Sequence, residues 1–207
     1  KTFRKTYIIL QSSRFTLIPQ SIEPEADKLN IYYDFCFPDH TDKILCNEWQ
    51  RNQLYNLFGV NKDIYAFLKR TFDNPLFLHQ LTPLCEYFYK RSKVGNNSKM
   101  YIHLQKKWID IACFNKKGLL FANSFEYGDI HDAAYYILNV WEQQGFDQEK
   151  DELQLTGDKE PRQIITRIAQ EYIRQVMPSI FPPQLFKLGK ETLEAPFDLT
   201  VIPLCEL

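Results

Sequence analysis

The chain has 207 residues, of which 44% are hydrophobic and 15% aromatic, and its net charge at pH 7 is −1. This composition excludes a disordered chain, because 16 Phe and 12 Tyr supply far more apolar surface than a disordered segment carries. The 25 Lys and Arg residues are scattered rather than gathered into a stripe that could neutralise phosphates, so we expect no nucleic-acid partner.

In the first half of the chain, short runs of β-branched and aromatic residues are bounded by turn residues. These runs predict strands at residues 7–10, 15–18, 31–37 and 54–60. A further short, buried strand is expected at residues 76–78.

Two helices are predicted in the same half. Asn61 is a candidate N-cap for the first, and Thr82 followed by Pro83 is a start signal for the second. The apolar residues that share one face of the first helix at helical spacing are Ile64, Phe67, Leu68 and Phe72.

The polar run at residues 92–98 separates two strongly patterned segments and is the predicted linker. We therefore expect an N-terminal lobe of residues 1–93 and a C-terminal lobe of residues 94–207, the second ending in a proline-rich tail.

The second half predicts antiparallel strands at residues 100–105, 107–114 and 119–125. A helix follows, with Asp129 as its cap and Gly145 as its end. A fourth strand at residues 152–155 precedes a helix that opens at Pro161 and whose apolar face extends to Val176. Prolines interrupt the pattern beyond Met177, so no element is predicted for residues 197–207.

The order of three antiparallel strands, helix, strand and helix resembles the unit of the ribonuclease H-like and actin-like superfamily. Three segments go further and resemble an uncharacterised Bacteroidetes family, a domain of unknown function with an actin-like ATPase fold. They read FTLIP at residues 15–19, LHQLTPL at 78–84 and GLLFANSFEY at 118–127, with further likeness at 155–157 and 204–206. The resemblance implies a bacterial α/β protein with two lobes, each of which holds a mixed (α+β) sheet flanked by helices. It implies no known activity.

In an actin-like ATPase, phosphate lies against the turn between the first two strands of a lobe, where an acidic residue handles metal and water and a glycine lets backbone amides approach. Here His103 stands in the place of the acid and Gln105 in that of the glycine. A side chain at position 105 obstructs the close backbone approach that a phosphate needs. Lys106 and Lys107 of this turn either are solvated or contact a ligand or partner.

The adenosine side of such a site is marked by a glycine pair after the fourth strand, and only Gly157 is present, between Thr156 and Asp158. A turn from strand to helix favours one glycine in any case. The corresponding turn of the first lobe would lie near or before Lys1, upstream of a chain that begins without Met. The candidate nucleotide or ligand cleft therefore comprises His103, Gln105, Lys106, Lys107, Thr156, Gly157 and Asp158.

Acidic residues and a histidine crowd the start of the helix after residue 128 and raise the alternative of a metal site; they are Glu126, Asp129, His131 and Asp132. Acidic residues in a first helical turn also cap free amides and suit the helix dipole, which explains them without a metal. No Walker A, GxSxG, HExxH or CxxC motif is present, so no catalytic residue and no metal ligand is assigned.

Five cysteines without a CxxC pair indicate free thiols in a reducing cytoplasm. No run approaches the roughly 20 apolar residues that a membrane helix needs, and residues 1–5 do not read as a signal peptide. We expect a cytoplasmic protein without membrane insertion.

Three functions remain open from the sequence. The first is a non-catalytic binding or scaffold protein with a degenerate site, no cofactor and protein partners. The second is a divergent nucleotide-binding ATPase or sugar-kinase-like enzyme that takes Mg-ATP. The third is a ribonuclease H-like nuclease, which needs clustered acids.

Overall fold

The computed structural model describes residues 5–22, 28–178, 182, 189 and 195–205. Two compact units divide the chain, Lys1–Glu86 and Tyr87–Leu207. Glu206 and the turn expected near Lys1 lie outside the described residues.

The described part of the first unit contains two small sheets. One pairs β1 (Tyr7–Leu10) in parallel with β5 (Leu76–His79). The other is antiparallel with the order β2-β4-β3, formed by β2 (Phe15–Pro19), β3 (Lys43–Trp49) and β4 (Leu54–Val60). The helices that begin in this unit are α1 (Leu29–Cys36), α2 (Lys62–Thr71) and α3 (Leu81–Ser92).

The strand predicted at residues 31–37 is wrong, because this segment is helix α1. Tyr33 is completely buried against Ile18 and Leu57, whereas Phe35 is almost fully exposed. A strand would turn both aromatic rings to the same face, while a helix separates them. Gly59 lies beneath Tyr33, since a Cβ added at that glycine would meet the Tyr33 ring and hydroxyl.

A hydrogen-bonded asparagine joins the two sheets of this unit. The Oδ1 atom of Asn47 accepts hydrogen bonds from the His79 amide and the Thr82 hydroxyl, both at 2.8 Å, and its Nδ2 donates to the Phe77 carbonyl at 2.9 Å. Asn56 is its direct partner in the β3–β4 register and is completely buried, yet neither polar atom of its side chain has a partner among the described residues.

The described part of the second unit holds one five-stranded sheet with the order β10-β9-β6-β7-β8. Strands β6, β7 and β8 are antiparallel, β9 runs parallel to β6, and β10 parallel to β9. The elements are β6 (Lys99–Leu104), β7 (Trp108–Phe114), β8 (Leu119–Glu126), α4 (Ile130–Gln143), β9 (Glu152–Gly157), α5 (Lys159–Ala169), β10 (Gln175–Pro178) and α6 (Phe197–Val201).

Both faces of this sheet are covered. Alternate residues of β6, β7 and β9 form an apolar core with α4 and α5. On the opposite face, the Phe88 ring of α3 stacks on Tyr101 with ring centroids 4.3 Å apart, and Phe197 of α6 lies near Phe88 and His103.

The helix predicted to extend to Val176 ends earlier. The amides of Tyr172 and Ile173 both donate to the Ala169 carbonyl, at 3.0 and 2.8 Å, so the chain turns out of α5. Val176 lies in β10, which adds a parallel edge strand to β9. Among the described residues, none of the helices has the length and apolar character to cross a bilayer.

Candidate functional site

The turn between β6 and β7 is the tight hairpin that the sequence predicts. The Gln105 amide donates to the Trp108 carbonyl at 2.8 Å, which leaves Lys106 and Lys107 exposed at the tip. Because β9 runs parallel to β6, the carboxyl ends of these two strands lie together beside this turn. Ligands of open α/β sheets bind at such carboxyl ends.

His103 is buried, and polar side chains contact both of its ring nitrogens. The Thr156 hydroxyl donates to the Ile102 carbonyl at 2.9 Å and lies 3.1 Å from His103 Nδ1, so that ring nitrogen is the donor to Thr156. The other ring nitrogen, Nε2, then accepts from the side-chain amide of Gln105, 3.3 Å away. Burial lowers the pKa of His103 to about 4, against the opposing charge of Asp158, so the ring is neutral at pH 7.

His103 belongs to a polar row that crosses four strands. Thr156, His103, Asp110 and Ser124 are successive register partners on β9, β6, β7 and β8, so they point to the same face. All four are buried, and the Ser124 hydroxyl donates to Asp110 Oδ1 at 2.5 Å. Thr156 and His103 are site residues predicted from the sequence, whereas no site role is predicted for Asp110 or Ser124.

Gly157 is required by the packing of β9 on β6. Its φ is +93°, and a Cβ added there would lie 1.9 Å from the Leu104 carbonyl oxygen. The following amide, that of Asp158, donates to the same oxygen at 2.7 Å. The close backbone contact at this glycine is therefore with Leu104, which explains the residue without a nucleotide.

A cavity of about 670 Å³ opens beside the hairpin, where α4 and α5 begin. Only Lys106 and Asp158 of the predicted cleft residues line it; His103, Gln105, Lys107, Thr156 and Gly157 do not. Its lining residues are Lys106, Tyr127, Gly128, Asp129, Ile130, Asp158, Lys159, Glu160, Pro161 and Ile164.

The charges around this cavity are mixed. Two basic residues, Lys106 and Lys159, line it together with three acidic residues, Asp129, Asp158 and Glu160. The Tyr127 hydroxyl is occupied, because it donates to the Gln105 carbonyl at 2.5 Å. Burial, followed by the charge of Asp158, raises the pKa of Tyr127. A polyphosphate would meet more negative than positive groups here.

The acidic start of α4 is a helix cap, as the sequence indicates. Asp129 accepts from the His131 amide at 2.8 Å, and Asp132 accepts from the Asp129 amide at 3.0 Å, which forms a capping box. In the part of the chain that the structure describes, no three His, Cys, Asp or Glu side chains come together to hold a metal ion. At the hairpin, an imidazole and an amide stand at positions 103 and 105, where the resemblance to actin-like ATPases implies a carboxylate and a glycine.

Comparison with known proteins identifies relatives over most of the chain. Residues 1–176 match the family described as "Protein of unknown function (DUF3822)". A crystal structure from Bacteroides thetaiotaomicron VPI-5482, of a protein with an actin-like ATPase fold and unknown function, is 32% identical; its TM-score is 0.82, over 99% of this chain and 75% of that one. Both findings confirm the family and the fold that the sequence motifs predict.

A more distant neighbour shows the same fold only. The structure titled "PilM-PilN type IV pilus biogenesis complex" is 10% identical, with a TM-score of 0.57 over 96% of this chain and 78% of that one. No curated protein matches the chain in sequence.

Proposed function

Because the chain belongs to the DUF3822 family of unknown function and has an actin-like fold, we propose from its site that it is a non-catalytic binding or scaffold protein. One observation carries this proposal: both nitrogens of His103 are engaged by Thr156 and Gln105 at the place where an actin-like ATPase needs a free carboxylate. A degenerate site of this kind has no cofactor.

The surroundings of the hairpin support the same proposal. Gly157 is closed against Leu104 and offers no open backbone to a phosphate. The nearby cavity has both signs of charge and the apolar side chains of Ile130 and Ile164, a mixture that suits a protein segment better than a polyanion. The pilus-biogenesis neighbour is a complex of PilM and PilN. We propose that this chain also binds other proteins.

We further propose that the protein acts in the cytoplasm of a bacterium and binds no nucleic acid. Cys36, Cys46 and Cys113 are free thiols, as expected for a reducing compartment. The charge pattern offers no basic stripe to a phosphate backbone.

One observation favours a second candidate, a divergent nucleotide-binding ATPase or sugar-kinase-like enzyme. Lys106 and Lys159 both line the cavity, which lies at the carboxyl ends of the parallel strands β6 and β9. Mg-ATP would be its ligand, and Lys106, Lys159 and Asp158 would be its contacts.

Titration calorimetry with Mg-ATP separates the two candidates. We expect no heat of binding at millimolar nucleotide, either for the chain or for its Lys106→Ala variant. Saturable heat that disappears in the Lys106→Ala variant but persists in Lys116→Ala, a matched change in the turn between β7 and β8, would establish the nucleotide-binding function instead.

A nuclease would require divalent cations at clustered acids, and β6 contains neither Asp nor Glu. We expect manganese and magnesium to leave the melting temperature unchanged. A rise in melting temperature that depends on Asp110 would contradict this expectation.

A further inference from the structure

The turn between β7 and β8 carries two adjacent lysines. Lys116 and Lys117 are exposed at its tip. The side chain of Asn115 fixes the turn, because it accepts hydrogen bonds from the amides of Lys117 and Gly118, at 2.8 and 3.2 Å. The backbone groups of Asn115 and Gly118 also pair with each other. The two lysines therefore lie on an ordered hairpin.

A third lysine, distant in the sequence, joins this turn. Lys93 follows the end of α3, and its ammonium group donates to the Lys116 carbonyl at 2.8 Å. The same ammonium group lies 4.4 Å from the centre of the Tyr89 ring, whose π electrons attract a cation. An ammonium group has three N–H donors, so Lys93 is held in place and still has donors for a further partner. Lys93, Lys116 and Lys117 together form the lysine patch.

The lysine patch has no compensating negative charge from the described residues. None of their carboxylates lies within ion-pair distance of the three ammonium groups. Two acidic residues lie beside the linker that follows Lys93, and both are engaged elsewhere. Asp151 accepts from the Ser98 amide at 2.8 Å, and Glu152 pairs with the buried Lys99. The fold thus gathers cations that are scattered in the sequence.

An exposed apolar side chain adjoins the lysine patch. Val94 directly follows Lys93, and 72% of its surface is exposed. Its backbone is fixed, since its amide donates to the Arg91 carbonyl at 3.2 Å and its carbonyl accepts from the Lys99 ammonium group at 2.7 Å. Protein interfaces combine an apolar contact with polar surroundings, and this surface has that composition.

The number of cations distinguishes between classes of anionic partner. A protein that binds DNA electrostatically makes about 6–10 phosphate contacts, and polybasic sites for anionic membranes contain about 4–8 basic residues. Three lysines beside one turn fall short of both. Two or three carboxylates on a short protein segment match them in charge and in extent.

We propose that the lysine patch binds an acidic segment of a partner protein. Carboxylates of that segment contact Lys93, Lys116 and Lys117, and an apolar residue of the segment packs on Val94. This inference rests on the proposed binding function and names the chemistry of its partner. The lysine patch lies at the opposite end of β7 from the turn that carries Lys106, so its failure to bind would leave the ATP test unaffected.

Fluorescence anisotropy on the full chain tests the proposal with two labelled peptides. The acidic peptide has four glutamates around a central leucine, and the neutral peptide has glutamine in place of each glutamate. At about 50 mM salt the chain should bind the acidic peptide about tenfold more tightly, because only that peptide forms ion pairs with the lysine patch. Raising the salt to about 500 mM should remove this preference, because exposed charges are then screened.

Two triple variants locate the binding surface. The patch variant combines Lys93→Gln, Lys116→Gln and Lys117→Gln. The control variant removes the same charge from exposed positions of the first unit and combines Lys43→Gln, Lys62→Gln and Lys69→Gln. The patch variant should bind both peptides equally, and the control variant should retain the preference. Melting temperatures verify that both variants fold, and the salt dependence of the unsubstituted chain remains as the test if the patch variant does not.

Several outcomes would overturn the proposal. One is equal affinity of the unsubstituted chain for the two peptides at low salt. Others are a preference that persists in the patch variant, or a loss of equal size in the control variant. Lysine-dependent binding of phosphatidylserine vesicles or of a single-stranded oligonucleotide that is tighter than binding of the acidic peptide would assign the surface to a lipid or a nucleic acid instead.

Discussion

Asn47 and Asn56 face each other across β3 and β4 and point to the same side of the sheet, but only Asn47 is hydrogen-bonded to other described residues. A buried polar group with partners stabilises a fold, whereas one without partners costs free energy. The two asparagines therefore form a natural matched pair.

We predict opposite effects for the same substitution at these two positions. Asn47→Leu should lower the free energy of unfolding by about 3 kcal/mol. The reason is that the His79 amide, the Phe77 carbonyl and the Thr82 hydroxyl each lose their hydrogen bond to Asn47. Asn56→Leu should raise it by about 1 kcal/mol, because it removes two unpaired polar atoms from the interior. Urea unfolding measures both, and destabilisation by Asn56→Leu would mean that this side chain has a polar partner in solution.

Gly157 should tolerate alanine much less well than Gly145. Both have positive φ, +93° and +66°, but a Cβ at Gly157 would meet Leu104 backbone atoms, while nothing lies within 4 Å of one at Gly145. Gly145→Ala should cost about 1 kcal/mol of backbone strain, and Gly157→Ala about 3 kcal/mol or more because β9 must also separate from β6. Equal losses of unfolding free energy in the two variants, measured in urea, would show that contact with Leu104 does not add to the cost of alanine at position 157.

The hydroxyl of Thr156 should matter more than that of Thr166, which also donates to a backbone carbonyl. Thr156→Val leaves the buried Nδ1 donor of His103 without an acceptor, and we expect a loss of about 2 kcal/mol. In Thr166→Val the lost hydroxyl only donated to the Arg162 carbonyl of its own helix, so the change should be a few tenths of a kcal/mol. Similar losses in the two variants would contradict the hydrogen-bonded role of His103.

Acid should destabilise the protein through two buried histidines. Burial lowers the pKa of His103 to about 4 and that of His79 to about 3, from the ordinary value of 6.5. Below pH 6.5 the unfolded chain binds protons that the folded chain does not, so stability is complete above that value and falls as the pH drops toward 4. Each histidine should contribute a slope of about 1.4 kcal/mol per pH unit in this window.

Urea unfolding as a function of pH measures this slope, and the His103→Gln variant should reduce it. His131→Gln changes an exposed histidine of α4 and serves as the control. A slope that is the same in His103→Gln and in the unsubstituted chain would exclude protonation of His103 as a cause of acid sensitivity.

The sequence predicts most elements of the second unit because local signals there agree with the tertiary structure. Strand alternation, the Lys106-Lys107 turn and the Asp129 cap each act over a few residues. In the first unit, the aromatic residues around Tyr33 have high strand propensity, and only the contact of that ring with the sheet makes a helix the better arrangement. The sequence does not predict strand β3, because Asn47 and Glu48 interrupt its apolar run.

The candidate site is predictable only in part. The replacements at positions 103 and 105 can be read from the sequence, and the structure places both residues in one hydrogen-bonded group. The roles of Tyr127 and Phe197 cannot be read in this way, because each contacts a residue far away along the chain. Gly157 can also be read from the sequence, but the reason for a glycine there is its steric contact with Leu104, which no local pattern reveals.

The row of Thr156, His103, Asp110 and Ser124 also constrains how the sheet of the second unit can assemble. With one polar group on each of four neighbouring strands, any strand that shifted by one residue would turn its member into the aliphatic core and leave a gap in the row. The four side chains therefore favour the observed pairing of the strands over pairings shifted by one residue. A sheet built with the wrong stagger would be penalised on both of its faces at once.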